Sequence, residues 1–365
     1  MIKIEDKKAY KNIFIIFIIS RIVLFLLAAA ITENGFKDVF YNFDIEHYLN
    51  IARQGYTEPI TAFFPLIPLL MKAFDFIGIP VVGVMIVNNI AAFFCAILIY
   101  KLTEDLTAAK LFICSPIAVF TFIAYTESIF ILLTLLVIYL YKQEKYIAAG
   151  VLLGIGVCCR SLAAMLFFAI FIIMAIKFFQ KKMSITPIFK MYIPATLISL
   201  IYPVYLQLNF GNWKSFMDVQ FTYWGRMSSN VITAIIADVE YLFTNAAALQ
   251  KAQVIYQFIL LALMITLIIF SIKKVWKTKN EIHAISIIYL ILTIFSIYST
   301  VRRPELSIPS ASFYRYFYAC SSVYLLPTIF ESKTLKDYRN IRSFGLNIGL
   351  AVMFAVFYYC NLFMC

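Results

Sequence analysis

The segment Tyr41-Asn-Phe-Asp44-Ile-Glu46-His47-Tyr48 places two carboxylates and an imidazole side by side, directly after the first long apolar run of the chain. Acidic side chains are costly beside hydrocarbon, so a group of them at a membrane face points to chemistry on a lipid-borne substrate. Asp44 has the makings of a general base. Partial desolvation at an interface raises the proton affinity of a carboxylate toward the range in which it can take a hydroxyl proton. Its place just before a helical pattern equally suits capping a helix N-terminus, and one role does not exclude the other. Glu46 falls on the polar face of that pattern, where it is solvated, shares a substrate, or holds a divalent ion with Asp44. Two oxygen ligands alone do not define a metal site. His47 is spaced to hold an acceptor hydroxyl or to pair with Asp44.

A second lone acid, Glu127, ends one apolar run and begins the next within Ser115–Ile129. An unpaired carboxylate there is expensive, so Glu127 is expected to point inward, with Arg160 as its candidate partner. A buried structural ion pair is the plainer role for the same two residues. Farther on, Phe216, Val219, Tyr223 and Arg226 share a helical stripe with Gln220 beside it. A guanidinium forks onto phosphate bidentately, and lipid phosphates lie at this depth, so Arg226 is read as a phosphate ligand. Trp213 and Trp224 suit anchoring at headgroup level. Arg302, Arg303 and Arg315 cluster in the last outer loop, where snorkelling to the headgroups is the plainer role for at least one of them.

The elements that must carry these residues are set by composition. Hydrophobic residues make up 63% of the 365, charged residues 14%, and mean hydropathy is +0.89, which no soluble domain of this length could cover with polar surface. The chain is therefore read as an all-α polytopic integral membrane protein, residues 1–365 forming a single membrane domain. At about 20 apolar residues per crossing, spans are expected near 13–31, 80–100, 111–124, 128–141, 147–159, 161–176, 191–209, 252–272, 283–299, 315–330 and 344–363. With a cytoplasmic N-terminus, 20 of the 31 lysines and arginines fall on the inner side, 10 on the outer side, and Arg21 within the first span. That asymmetry obeys the positive-inside rule and turns the outer loops 32–79, 210–251 and 300–314 away from the cytoplasm. In the first of these, Ile45, Tyr48, Leu49 and Ala52 recur at helical spacing opposite Glu46, Asn50 and Arg53, which predicts an amphipathic helix closed by Gly55. Ala62–Phe74, shaped by Pro65 and Pro68, is too short to span and is expected to be re-entrant or surface-lying.

The net charge of +12 sits in membrane-flanking loops and so does not argue for nucleic acid. Cys95, Cys114, Cys158, Cys159, Cys320, Cys360 and Cys365 lie almost all inside apolar runs without metal-ligand spacing and read as packing residues. No phosphate-binding glycine loop, dinucleotide fingerprint or zinc-protease motif is present. Ala28-Ala29-Ala30 could end a signal peptide, but the preceding run is nearer the length of an anchor.

Taken together, Asp44-x-x-His47-Tyr48-Leu49-x-Ile51-Ala52-x-x-Gly55-Tyr56 with Ala62-Phe63-Phe64-Pro65, Tyr125-Thr126-Glu127-Ser128, Arg160-Ser161 and Gln220-x-x-x-Trp224-Gly225-Arg226 resemble, in order and approximate spacing over residues 20–320, the PIG-V-type mannosyltransferases and their prokaryotic relatives. That resemblance implies a GT-C-like bundle of about 11 transmembrane helices and a polyprenyl-phosphate sugar as donor. It also implies a catalytic acid in the first outer loop, matched here by Asp44. Phe43 stands where the family usually has Trp, which bears on sugar stacking rather than on catalysis. The remaining site residues would be Glu46, His47, Glu127, Arg160, Gln220, Trp224, Arg226 and Arg315. The partners would be the lipid-linked donor, a lipid, glycan or protein acceptor, and membrane lipids, in the plasma membrane of a prokaryote or the endoplasmic reticulum of a eukaryote. Two rivals stay open: a transporter or flippase, which should show two related halves with paired broken helices, and a non-catalytic membrane subunit.

Overall fold

A computed structural model describes residues 4–31, 40–303, 308–310, 312–326 and 344–360. Among them helices dominate, and five are long and apolar enough to cross a membrane: Asp6–Ile31, Pro80–Thr103, Thr186–Phe210, Ala248–Thr278 and Glu281–Tyr298. Shorter apolar helices cover Tyr146–Cys159, Ala163–Phe179 and Gly345–Tyr359. On the first helix Ile13, Phe17, Leu24 and Ala28 are buried while Phe14, Ile19, Ile22 and Leu26 are exposed. A helix apolar on every side yet only partly covered by protein is one surrounded by lipid.

The described chain divides into two compact units. The first takes residues from Met1–Gln54, Leu66–Lys145 and Tyr324–Phe363. It begins with α1 (Ile4–Ile31), then α2 (Asp44–Gln54), α3 (Leu66–Asp75), α4 (Pro80–Thr103), α5 (Leu106–Ile113), α6 (Ala118–Phe122) and α7 (Glu127–Lys142). The expected amphipathic helix is present as α2, which buries Ile45, Tyr48, Leu49, Ile51 and Ala52 and packs on α3 and α4. The apolar stretch after Pro65 is a separate helix of ten residues, α3, too short to cross the bilayer.

The expected run 111–124 is broken into α5 and α6 around Ser115-Pro116, because proline lacks the N–H that would carry the helix on. Unpaired carbonyls at such a break are intolerable in hydrocarbon unless protein satisfies them. Here Arg21 donates to Ala118 O at 3.2 Å and to Thr121 Oγ1 at 3.1 Å. The Asn88 amide donates to Ile123 O and Tyr125 O at 2.6 and 2.7 Å, and that of Asn89 to Phe122 O at 2.9 Å. These bonds from α1 and α4 thus serve the short α6 and the turn from it into α7, while at the break itself Ser20 Oγ donates to Ile113 O at 3.4 Å.

The second unit takes residues from Gly55–Pro65 and Tyr146–Val323. After a 3-10 turn at Glu58–Ala62 come α8 (Tyr146–Cys159), α9 (Ala163–Phe179), α10 (Thr186–Ser199), α11 (Ile201–Phe210), α12 (Ser215–Thr222), β1 (Arg226–Ser228), α13 (Val231–Leu242), α14 (Ala248–Thr278), α15 (Glu281–Tyr298), β2 (Thr300–Arg302) and α16 (Phe313–Ala319), with the short α17 (Ser322–Leu325) at the boundary where the chain leaves this unit. Helices α8 and α10 meet closely at glycines: a Cβ built on Gly154 lies 2.6 Å from Ile198 Cβ and 2.8 Å from Ala195 O, nearer than atoms pack. The expected run 315–330 is interrupted, since α16 ends at Cys320 in extended backbone (φ −70°, ψ 109°). Its remainder beyond residue 326 lies outside the described residues. The last helix, α18 (Phe344–Tyr359), returns to the first unit and packs on α1 and α6.

Candidate functional site

In the first unit the acid residues begin α2. Phe43 precedes them with φ 57°, a left-handed conformation that a bulky side chain adopts only when its surroundings compel it. Its ring meets that of Tyr358 at 5.5 Å between centroids. The turn is closed by Ile45 N–H to Asn42 O at 3.3 Å and Glu46 N–H to Phe43 O at 3.1 Å. Asp44 thus opens the helix, half-buried, where the positive end of the helix dipole favours a carboxylate. His47 is also half-buried and Glu46 exposed. Asp44 and Glu46 both stand in the first turn of α2, where residues two apart do not face each other. Among the described residues, no group of three or more His, Cys, Asp or Glu side chains is placed to hold a metal. At the other end of α2, Arg53 forks with Nε and Nη2 onto Asp75 Oδ1 at 3.1 and 2.9 Å, fastening α2 to α3.

Glu127 is fully buried at the first turn of α7, and Thr126 Oγ1 donates to its Oε2 at 3.4 Å. The Ser128 hydroxyl donates to Thr121 O at 2.9 Å, so the Tyr125–Ser128 motif is folded back against α6. Helix α7 packs on α4.

In the second unit, α12 ends at Tyr223 and Gly225 takes φ 63°. The expected helical stripe therefore does not reach Arg226. The chain reverses at glycine, and Arg226 opens β1, paired antiparallel with β2 in the register Arg226↔Arg302, Met227↔Val301, Ser228↔Thr300. Arg226 Nη1 donates to Thr300 Oγ1 at 3.1 Å. Trp224, expected as a headgroup anchor, makes specific contacts within the protein: its Nε1–H donates to Pro59 O at 2.9 Å and its ring meets Phe63 edge-on at 5.5 Å. It thereby fastens the 3-10 turn, while Trp213 stays 57% exposed. Gln220 is half-buried on α12, which packs against the same 3-10 turn.

Arg315 is buried within α16 rather than opening a long span, at 5% exposure. Arg160 stacks its guanidinium over the Tyr316 ring at 4.9 Å, so the second unit brings Arg160 next to the helix that carries Arg315.

Sequence reading missed Asp238. It is buried on α13, and its Oδ1 accepts both the backbone N–H of Ser310 at 3.2 Å and the Ser310 hydroxyl at 2.8 Å. The amide oxygen of Gln257 lies against the same hydroxyl. Burial pushes the Asp238 carboxyl up to about 6, against the lowering effect of the Ser310 bonds. The signal was available. Ala234, Asp238 and Tyr241 fall four and three residues apart, and that stripe is the buried face of α13.

Compared with protein-family models and with curated proteins, the chain matches none.

Proposed function

We propose that this chain is a membrane glycosyltransferase, a GT-C-like bundle of about 11 transmembrane helices as the motif resemblance implies. It would move a sugar, mannose on that resemblance, from a polyprenyl-phosphate donor to a lipid, glycan or protein acceptor on the outer face. The donor already carries a good leaving group, so the protein must supply a base for the acceptor hydroxyl and cations for the phosphate charge that develops. Asp44 takes the hydroxyl proton as the acceptor oxygen attacks the anomeric carbon. The bond from that carbon to the phosphate oxygen breaks with inversion, and the departing polyprenyl phosphate keeps the electron pair. Arg226 and Arg315 stabilise that phosphate; His47 and Gln220 orient sugar hydroxyls. Glu46, Glu127, Arg160 and Trp224 complete the substrate-binding set. A single displacement needs one carboxylate, unlike glycoside hydrolysis with its pair.

The observation that carries this reading is Asp44 half-buried at the start of an amphipathic helix, directly behind the strained Phe43. Backbone strain maintained beside an acid is what a fixed catalytic group requires. The test is transfer of labelled sugar from a polyprenyl-phosphate donor in membranes containing the protein. Asp44→Asn at normal protein level should abolish product. Undiminished transfer removes Asp44 from the mechanism, and absence of transfer by the unaltered protein across donors returns the transporter and subunit readings.

A further inference from the structure

We propose that the face of the β1–β2 ribbon bearing Arg226, Ser228, Thr300 and Arg302 is a receptor for a phosphate ester, with Arg302 as its second guanidinium. The proposal rests on the reading of Arg226 as a phosphate ligand and extends it to three residues which that reading leaves without a role. Directly opposed residues of an antiparallel pair project to the same side, as do residues two apart on one strand. The register therefore sets two arginines and two hydroxyl side chains on one face. Met227 and Val301 take the other, with Val301 buried at 6% exposure. The ribbon thus has an apolar side, seated at Val301 with Met227 39% exposed, and a polar side.

Three further bonds hold that polar side in place. Arg226 Nη1 reaches diagonally to Thr300 Oγ1 at 3.1 Å, fixing one guanidinium across the strands. Arg302 N–H donates to Pro309 O at 2.8 Å and Arg303 N–H to Gly225 O at 2.9 Å, which anchors the end of the ribbon where the two arginines stand. Both arginines are half-buried, so their charge acts in a lower dielectric than bulk water supplies. A tetrahedral oxyanion matches two guanidinium forks set on one face, and the hydroxyls of Ser228 and Thr300 match its remaining oxygens. A carboxylate has too few oxygens to use all four groups. The ligand chemistry is therefore a phosphate group, carried by an isoprenoid phosphate or a phospholipid headgroup, or free in solution.

The test uses the full chain in nanodiscs of zwitterionic lipid and measures affinity for a polyprenyl monophosphate, for inorganic phosphate, and for phosphatidylglycerol added to the disc. Arg302→Gln should weaken polyprenyl monophosphate binding by about tenfold or more, the range expected for hydrogen bonds to a charged group. Arg302→Lys should restore part of it. Thr300→Val should weaken it less, and Lys214→Gln, which removes an exposed outer charge, should leave it unchanged. Arg226→Gln with Arg302→Gln should cost less than the product of the single effects, since both grip one anion. Competition by phosphatidylglycerol or by inorganic phosphate keeps the site and assigns its source. Unchanged affinity in Arg302→Gln, or single effects that simply multiply, overturns it. Transfer of sugar with unchanged binding in Arg302→Gln sinks this site and spares the enzyme; loss of binding in a protein that transfers nothing spares the site and sinks the enzyme.

Discussion

Asp238 accepts two hydrogen bonds on one oxygen from Ser310, 72 residues away in the chain, and so ties α13 to the segment between Arg302 and Arg315. The carboxyl is buried and its proton affinity raised to about 6 from an ordinary 3.8, so the folded state keeps the proton at pH values where the unfolded chain has lost it. The stabilisation is fully present below about pH 4 and is lost as pH rises through about 6, amounting to about 3 kcal/mol. Asp238→Asn retains an oxygen for both Ser310 bonds and removes the titration. The variant should unfold at a higher temperature than the parent at pH 7, and their difference should vanish near pH 4. Parallel melting curves of the two proteins between pH 4 and 7 would dispose of this account.

Gly154 and Gly349 should respond oppositely to the same change. The Cβ of Gly154→Ala collides with α10, whereas nothing lies within 4 Å of a Cβ at Gly349. Small residues permit such close helix approach in membranes. Gly154→Ala should lower the melting temperature in detergent by the equivalent of about 1–3 kcal/mol. Gly349→Ala should be neutral or slightly stabilising. Thermal unfolding followed by size exclusion decides between them, and equal behaviour would contradict the packing described for α8 and α10.

Trp224→Phe keeps a ring against Phe63 and deletes the donor to Pro59 O. One hydrogen bond of this kind is worth about 1 kcal/mol. The 3-10 turn at Glu58–Ala62 should loosen, seen as faster amide exchange at the turn relative to the parent. Trp224→Ala, which also removes the ring contact, should exceed it. If Phe and Ala exchange alike, the indole N–H has no share in holding the turn.

Arg53→Ala should do little. The Arg53–Asp75 pair lies at 2.9 Å but is 50% and 30% exposed, and such solvent-screened pairs contribute little. A loss of stability well beyond that, measured by chemical denaturation in detergent, would mean that the link between α2 and α3 holds more than a surface ion pair can.

Local pattern made part of the molecule legible. Helix α2 was readable because its buried positions recur every three or four residues. The break after Ile113 was not read, since 111–124 was expected as one run, although Pro116 acts on its own backbone and marks it. Arg226 misled because three-residue strands carry no period of their own, and its helical spacing with Val219 and Tyr223 was coincidental. The turn at Gly225 intervenes, and the strand partner is at Thr300–Arg302.

By themselves the amino acids determined a helical, membrane-embedded chain with an acid-bearing amphipathic helix after the first apolar run, because hydropathy and periodicity are properties of neighbours in sequence. Only the tertiary structure decided that Arg302 stands opposite Arg226, that Asp238 serves Ser310, and that Arg21 and Asn88 satisfy the carbonyls of a broken segment. Each of these is a pairing between distant residues made to satisfy a charge or a backbone polar group away from water. The partner that does so is chosen by packing, which leaves no periodic trace along the chain.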